Sequence, residues 1–299
     1  MNYSEEDFYG NVQNTVDAEG QVQPIQDKEQ PKKEKVNYTL TILSTFAKTL
    51  IVIIGSIFYL VSVSMSINPS FAIKIYEFFD AKDAVVVCYE RVYNKSNSLN
   101  DLYNLVQKSI QAGDSKKTNK YIEILQSNSK YLEFCHRVNH SVKQVTEKKY
   151  YAYVGDLDSY LISQNIIALY ENGKKEKALN LALTDLTNNN IYSTGIATYI
   201  DLLMNDTSLE FETREQNLNA LLNEKISNKT IMEHIEIRIE GVDYSEASDV
   251  HDCILRVYTA LKLNNLKFNI YSYTNAEAEA DSVRLEIERL QDVYESLLD

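Results

Sequence analysis

Two short segments of the sequence combine cysteine with histidine, the side chains that structural zinc sites use. In CHRVNH, Cys135 precedes His136, and His140 follows four positions later. On a helix that spacing puts both imidazoles on one face, where they can share a metal ion. Zinc needs a third and a fourth ligand, and the remaining cluster is His251 with Cys253. Nothing in the sequence indicates that the two clusters meet, so we expect partly exposed helical histidines and no metal site.

The sequence motifs of phosphate binding and of hydrolysis are missing. The sequence contains no G-x-x-x-x-G-K-[ST], G-x-G-x-x-G, G-x-S-x-G or H-E-x-x-H. In VGDLDSY, Asp156 and Asp158 lie two positions apart, but the later ligands of a calcium loop are absent and a helix start fits better. We therefore predict no catalytic residue, no cofactor and no enzyme activity.

The three cysteines stand at wide spacings, at Cys88, Cys135 and Cys253. An odd number without a C-x-x-C pair does not define a disulfide framework. We expect three buried thiols that pack as small apolar side chains, and a single disulfide is the alternative.

The composition predicts helices and argues against a nucleic-acid-binding protein. The net charge is −13, whereas binding to a phosphate backbone requires clustered lysine and arginine. The chain has eight glycines and three prolines, and no proline follows Pro69. So few turn-forming residues are unusual for a β-sandwich or an α/β enzyme. Abundant Asn, Lys, Ile and Tyr is typical of AT-rich bacterial genomes.

One stretch of the chain, residues 49–73, carries no charged residue. It lies too far from the N-terminus and is too long for a cleaved signal peptide. About 20 apolar residues at 1.5 Å each span the roughly 30 Å hydrocarbon core of a bilayer. Lys48 stands at the start of the stretch, and Asn68-Pro69 ends it. We predict a single transmembrane helix at residues 49–67.

The segments on either side of this helix differ in character. We define the tail as residues 1–36, the anchor region as 37–69, the helical body as 70–273 and the C-terminal helix as 274–299. The tail is polar and has no sustained period, so we predict disorder, with YSEEDFYG as a candidate docking motif. Five lysines precede the apolar stretch closely, namely Lys28, Lys32, Lys33, Lys35 and Lys48, whereas Lys74 and Lys82 follow it. This bias predicts a cell-membrane protein with a cytoplasmic N-terminus and an extracytoplasmic body.

The helical body reads as amphipathic helices joined by short breaks. Three breaks divide helical hairpins, at Asp80-Ala81-Lys82, Ala112-Gly113-Asp114 and Asn172-Gly173. When the hairpins are aligned on Ala81, Gly113 and Gly173, the spacing between the turns is close to one repeat length and then to two. The repeat length is in the low thirties of residues, which is typical of helical repeats. Farther on, TIMEHIEIRIEG alternates Ile235, Ile237 and Ile239 with charged residues, a pattern that predicts a strand.

The third hairpin resembles a tetratricopeptide repeat. Four of its residues match positions where that family favours a large residue, a turn glycine, a small alanine and a packing residue: Leu169, Gly173, Ala178 and Ala182. The hairpin lacks the early tryptophan, the Leu-Gly pair and the closing proline of the family. The resemblance implies an all-α fold in which helical hairpins form a repeat-like solenoid with an extended binding surface. An irregular helical bundle is the alternative.

The C-terminal helix carries a heptad pattern. Thr274 and Glu277 have the spacing of a capping box. Apolar residues then follow at spacings of four and three: Ala276, Ala280, Val283, Ile287, Leu290, Tyr294 and Leu297. The pattern fits a helix that caps the solenoid, and it fits equally a coiled coil with a partner or with a second copy of the chain.

A tail and a body on opposite sides of a membrane suggest a scaffold or adaptor. It would bind partner proteins through a helical-repeat surface and through the cytoplasmic tail, with residues 49–67 in the membrane. The alternatives are a transmembrane sensor or regulator and, less favoured, a metal-binding helical domain. We expect no nucleic-acid partner.

The predicted orientation can be tested through the three cysteines, which all follow the apolar stretch. A membrane-impermeant thiol reagent is applied to intact cells under mildly denaturing conditions. If the body is extracytoplasmic, Cys88, Cys135 and Cys253 become labelled before lysis. Complete protection until lysis would contradict the prediction and place the body in the cytoplasm.

Overall fold

A computed structural model describes residues 38–147 and 155–298 of the chain. The predicted tail and its candidate docking motif lie outside the described residues. Within the described ranges the protein is all-helical, with thirteen α-helices, a short 3₁₀ turn at Tyr244–Glu246 and a ribbon of two very short strands. This confirms the all-α class of the predicted fold.

The helices are α1 (Tyr38–Ile67), α2 (Pro69–Phe78), α3 (Lys82–Ser96), α4 (Leu99–Ala112), α5 (Ser115–Gln126), α6 (Tyr131–Glu147), α7 (Leu157–Glu171), α8 (Lys175–Thr187), α9 (Gly195–Met204), α10 (Phe211–Leu222), α11 (Ile231–Gly241), α12 (Val250–Tyr273) and α13 (Glu277–Leu298). The strands β1 (Lys225–Ile226) and β2 (Lys229–Thr230) pair antiparallel, with Lys225 opposite Thr230. The chain divides into two units, residues 1–57 and 58–299.

Helix α1 contains a segment that is long and apolar enough to cross a membrane, Ile42–Leu60. The segment has 19 residues and a mean hydropathy of 1.8, and none of it is buried by the rest of the protein. The helix ends at Ile67, where Asn68-Pro69 was predicted to stop it. Lys48, however, lies within this segment rather than at its start, because Ile42, Leu43 and Phe46 extend the apolar surface upstream.

The three predicted breaks between helices are confirmed, and they share one geometry. A residue in the left-handed conformation follows the first helix, with φ of 50° at Asp80, 69° at Gly113 and 74° at Gly173. The next N–H donates to a carbonyl five residues back in each turn, at 2.9–3.0 Å. This closure satisfies carbonyls at the helix end that would otherwise lack a donor. In the first turn the left-handed residue is Asp80, one position before the Ala81 used in the sequence alignment.

Helices α12 and α13 form the longest hairpin of the described residues. The predicted heptad residues of α13 pack against α12 within this hairpin. Ala280, Val283, Ile287 and Leu290 are buried, and α13 packs along α12. The predicted capping box is wrong, because Thr274 lies at the end of α12, where its hydroxyl donates to the Ile270 carbonyl at 2.9 Å. The apolar stripe is therefore already covered by a neighbouring helix of the same chain.

The predicted strand in TIMEHIEIRIEG is wrong, since this segment forms α11. Thr230 and Glu233 form a reciprocal capping box that starts the helix. Ile231, Ile235 and Arg238 are buried at helical spacing, whereas Ile237 is exposed. The local alternation of isoleucine and charge is thus overridden by the cap and by packing against neighbouring helices.

Hydrogen bonds between tyrosine hydroxyls and carboxylates connect segments that are distant in sequence. Four such bonds, of 2.5–2.8 Å, join Tyr121 to Glu90, Tyr131 to Asp158, Tyr170 to Asp206 and Tyr192 to Asp252. Each ring can pack against apolar neighbours while its hydroxyl finds a charged acceptor, which makes the bond short and strong. The 22 tyrosines of the sequence thus serve partly as links between helices.

The buried side chain of Arg238 holds the end of α8. From α11, its guanidinium donates to four backbone carbonyls of α8 and the segment after it: Asp185, Leu186, Asn188 and Asn190. A cation is favourable there, because the carbonyls at a helix C-terminus carry partial negative charge. The neighbouring Asp185 carboxyl lies only 2% exposed, and this burial raises its pKa.

Asp185 in turn fixes the start of α9. Its Oδ2 accepts the backbone N–H of Gly195 at 2.9 Å. A Cβ at position 195 would lie 2.5 Å from that oxygen and 2.9 Å from Cδ1 of Ile166. The approach of α9 to α7 and α8 therefore requires glycine at its first position.

We predict that Gly195→Ala destabilises the protein by about 1–3 kcal/mol, the usual range for overpacking a buried position. Gly241→Ala is the matched control, since no atom lies within 4 Å of its Cβ position. We expect that control to change stability by less than about 0.5 kcal/mol. Denaturant unfolding of the full-length protein in detergent, followed by circular dichroism, measures both. Equal effects of the two substitutions would contradict the packing argument.

Candidate binding groove

The histidines and cysteines of the two predicted clusters lie in different settings. His136 and His140 are exposed on α6, whereas His251 is buried in the first turn of α12. Among the described residues, no group of three or more histidine, cysteine or acidic side chains could hold a metal ion. The structure therefore does not bring these residues together as a metal site.

The cysteines are all free. The prediction of buried thiols is confirmed for Cys88 and Cys135, and Cys253 is half-buried. Burial raises the pKa of the Cys135 thiol to about 12, so the reactive thiolate is scarce at neutral pH.

Asp156 and Asp158 are structural, as the predicted helix start requires. Asp156 caps α7 by accepting the backbone N–H of Ser159 at 3.0 Å. Asn139 and Asn190 also donate to Asp156, at 2.8 and 3.0 Å. Asp158 accepts the hydroxyl of Tyr131, and its burial raises the pKa of the carboxyl. The pair joins α6, α7 and the segment after α8.

A groove runs along α7 between α9 and α12. It consists of two cavities, of about 310 and 490 Å³, which share Ile167, Thr198 and Lys262. We call the combined feature the α7 groove. Its lining is Gly155, Asp156, Ser159, Tyr160, Ser163, Gln164, Ile167, Tyr170, Tyr192, Thr194, Thr198, Asp201, Leu202, Asn205, Asp206, Thr207, Leu255, Tyr258, Thr259 and Lys262.

One face of α7 lines the groove from end to end. Asp156, Tyr160, Ser163, Ile167 and Tyr170 recur at helical spacing and all contribute to the lining. At 1.5 Å per residue, the distance from Asp156 to Tyr170 is about 21 Å. The opposite face of α7 is buried in the core, so this wall has a fixed position.

Hydrogen bonds and a cation–ring contact hold two aromatic side chains that line the groove, Tyr192 and Tyr258. The hydroxyl of Tyr192 donates to Asp252 at 2.5 Å, and Asp252 also accepts from Nε of Arg256 at 3.1 Å. On α12, Nζ of Lys262 lies 5.8 Å from the centre of the Tyr258 ring. These side chains present aromatic surface and a positive charge to a ligand.

The far end of the groove carries a carboxylate with a depressed pKa. Oδ2 of Asp206 accepts from Nζ of Lys175 at 2.5 Å and from the hydroxyl of Tyr170 at 2.8 Å. Ser208 donates to Oδ1 through its backbone and its hydroxyl. The Lys175 and Ser208 contacts, with smaller help from Tyr170, lower the pKa of this carboxyl. Asp206 therefore stays ionised and fixes the loop after α9.

The lining of the α7 groove consists mainly of hydroxyl, amide and aromatic side chains. No histidine or cysteine is among its lining residues. The hydroxyl of Ser159 donates to the Asp156 carboxylate, and that of Thr259 donates to the Leu255 carbonyl. Tyrosine, threonine and single charged side chains instead offer hydrogen bonds and aromatic contact area.

Sequence reasoning missed the α7 groove, because its lining comes from three helices between positions 155 and 262. A local signal is polar: Ser163 and Gln164 lie between the apolar pairs Leu161-Ile162 and Ile166-Ile167 of α7.

No protein-family model, no curated protein and no solved structure matches this chain.

The lowered pKa of Asp206 predicts how its contribution to stability depends on pH. A carboxyl with a depressed folded pKa stabilises the protein above its unfolded pKa of about 4, and the contribution is lost as the pH falls. Asp206→Asn should therefore lower the denaturation midpoint clearly at pH 6 and by a smaller amount at pH 3, where part of the contribution has been lost. Asp281→Asn, an exposed aspartate in an ion pair with Arg284, is the control. A loss of the same size at both pH values would contradict the assignment.

Proposed function

We propose that the protein is a membrane-anchored scaffold or adaptor whose α7 groove binds an extended segment of a partner protein. The observation that carries the proposal is the pair of adjoining cavities along α7, which share Ile167, Thr198 and Lys262. Helix α1 would keep this binding site at the membrane, and no catalytic step is part of the proposal.

The dimensions and chemistry of the groove fit a peptide. About 21 Å accommodates six residues of extended chain, at 3.3–3.6 Å each. Tyrosine is enriched at protein interfaces, because its rigid ring supplies contact area and its hydroxyl supplies a hydrogen bond. Asp156 stands at one end of the groove, and Asp201 and Asp206 stand at the other. Asp156 and Asp206 are already paired within the chain, so the net charge of −13, rather than these two carboxylates, favours a segment that carries basic residues.

The helical body is proposed to be a repeat-like solenoid. Support comes from the three hairpins α2–α3, α4–α5 and α7–α8, which are closed by turns of the same geometry. Helix α7 also packs against both α5 and α9, as successive hairpins of a repeat protein do. Helix α6, which lies between the second and third hairpins in sequence, is an irregular addition. The tetratricopeptide resemblance of the third hairpin remains a proposal of the same kind.

Membrane anchoring is proposed through α1, with a cytoplasmic N-terminus. The segment Ile42–Leu60 exposes its apolar side chains to the surroundings, and a water-soluble chain would not tolerate such a surface. The lysines before the apolar stretch outnumber those soon after it. The tail is proposed to provide a second contact, on the cytoplasmic side.

We predict that the α7 groove contacts a partner in native membranes. A photo-crosslinking amino acid in place of Ser163, in the groove, should give a discrete protein adduct. The same amino acid in place of Lys177, which is exposed on α8, should not. Thr198→Trp fills the middle of the groove and should abolish the adduct at position 163. Thr184→Trp, at an exposed position on α8, should leave the adduct at position 163 intact.

Two outcomes would contradict the proposed function. One is an adduct at position 163 that persists in Thr198→Trp. The other is an equal adduct at position 177, which would indicate contact with random neighbours.

A further inference from the structure

Helix α2 has one buried side and one exposed side, and the exposed side carries two phenylalanines. Ala72, Ile73 and Tyr76 are buried, in a cluster that includes residues of α3. Phe71, Lys74 and Phe78 lie on the opposite side, at positions i, i+3 and i+7.

Three phenylalanines stand unusually open in this part of the chain. Phe78 is 84% exposed, Phe71 is 55% exposed and Phe79 is 54% exposed. The whole sequence has nine phenylalanines, so a third of them lie within these nine positions. A contiguous exposed apolar surface indicates a binding site rather than ordinary protein surface. We call Phe71, Lys74, Phe78 and Phe79 the α2 face.

The α2 face begins where the apolar helix ends. A single residue, Asn68, separates α1 from α2. The ring of Phe79, just past the end of α2, lies 5.9 Å from the ring of Phe58. Phe58 belongs to the segment Ile42–Leu60, which is long and apolar enough to cross a membrane. Helix α2 therefore runs back toward Phe58, so that its C-terminal end lies beside that residue.

We propose that the α2 face is a lipid-binding surface that seats the helical body on the same membrane that α1 crosses. The inference rests on the membrane anchoring in the proposed function. The contact of Phe79 with Phe58 favours lipid over a protein partner, because it holds the end of α2 beside the last turns of the apolar segment, close to the headgroup layer. Aromatic rings collect in that layer, and amphipathic helices lie in it with their apolar side inward.

Lys74 fits the same placement. It lies between Phe71 and Phe78 on the exposed side of α2. A lysine beside interfacial aromatic rings lays its methylene chain along apolar surface and extends its ammonium group to the phosphates. The α2 face thus has apolar rings for the acyl boundary and a positive charge for the headgroups.

The absence of tryptophan from the sequence makes the inference directly testable. Single substitutions Phe78→Trp and Phe71→Trp each introduce one unique fluorophore into the full-length protein. The variants are reconstituted in phosphatidylcholine vesicles whose acyl chains carry bromine close to the headgroups. Phe211→Trp, at a 51% exposed position on α10, is the matched control, and Phe46→Trp reports on the apolar segment of α1.

We expect the emission of Phe78→Trp and Phe71→Trp to shift to shorter wavelength and to lose intensity in brominated vesicles. The emission of Phe211→Trp should stay unchanged. Quenching of Phe46→Trp without quenching at positions 71 and 78 would overturn the α2 face while the membrane span stands. No quenching at any of the four positions would overturn the span, and the inference with it.

Discussion

The arrangement of the central helices depends on the buried guanidinium of Arg238. It donates to carbonyls at the end of α8 and in the segment that follows, so α11 and α8 are held together by a helix end rather than by apolar packing alone. Leaving such buried carbonyls unpaired would cost about 1–3 kcal/mol each. The hydrogen bonds of Arg238 therefore fix the position of α11 relative to the end of α8.

The same cluster determines where the α7 groove lies. Asp185, beside Arg238, accepts the first N–H of α9, and the missing side chain of Gly195 lets α9 approach Ile166 of α7. Helix α9 is one wall of the groove, and Tyr192, in the segment just before it, contributes an aromatic ring. The lining of the α7 groove is thus positioned by a buried charge that is not itself part of the lining.

Local patterns predicted the helical hairpins correctly, because Gly113 and Gly173 mark turns through their own backbone freedom. The strand predicted around Ile237 failed because a Thr230–Glu233 cap and burial of every third or fourth residue outweighed a period of two. Thr274 was misassigned because its hydroxyl serves the helix before it. The groove could not be predicted, since it exists only where three distant helices meet.

The length of α1 has a mechanical consequence. Its 30 residues make a rod of about 45 Å, whereas the hydrocarbon core of a bilayer is about 30 Å thick. The segment Ile42–Leu60 accounts for about 28 Å of that length, so α1 continues past the apolar segment mainly on the side that leads to α2, or it tilts to absorb the excess. These last turns of α1 would act as a rigid spacer that sets the distance between the apolar segment and the start of α2.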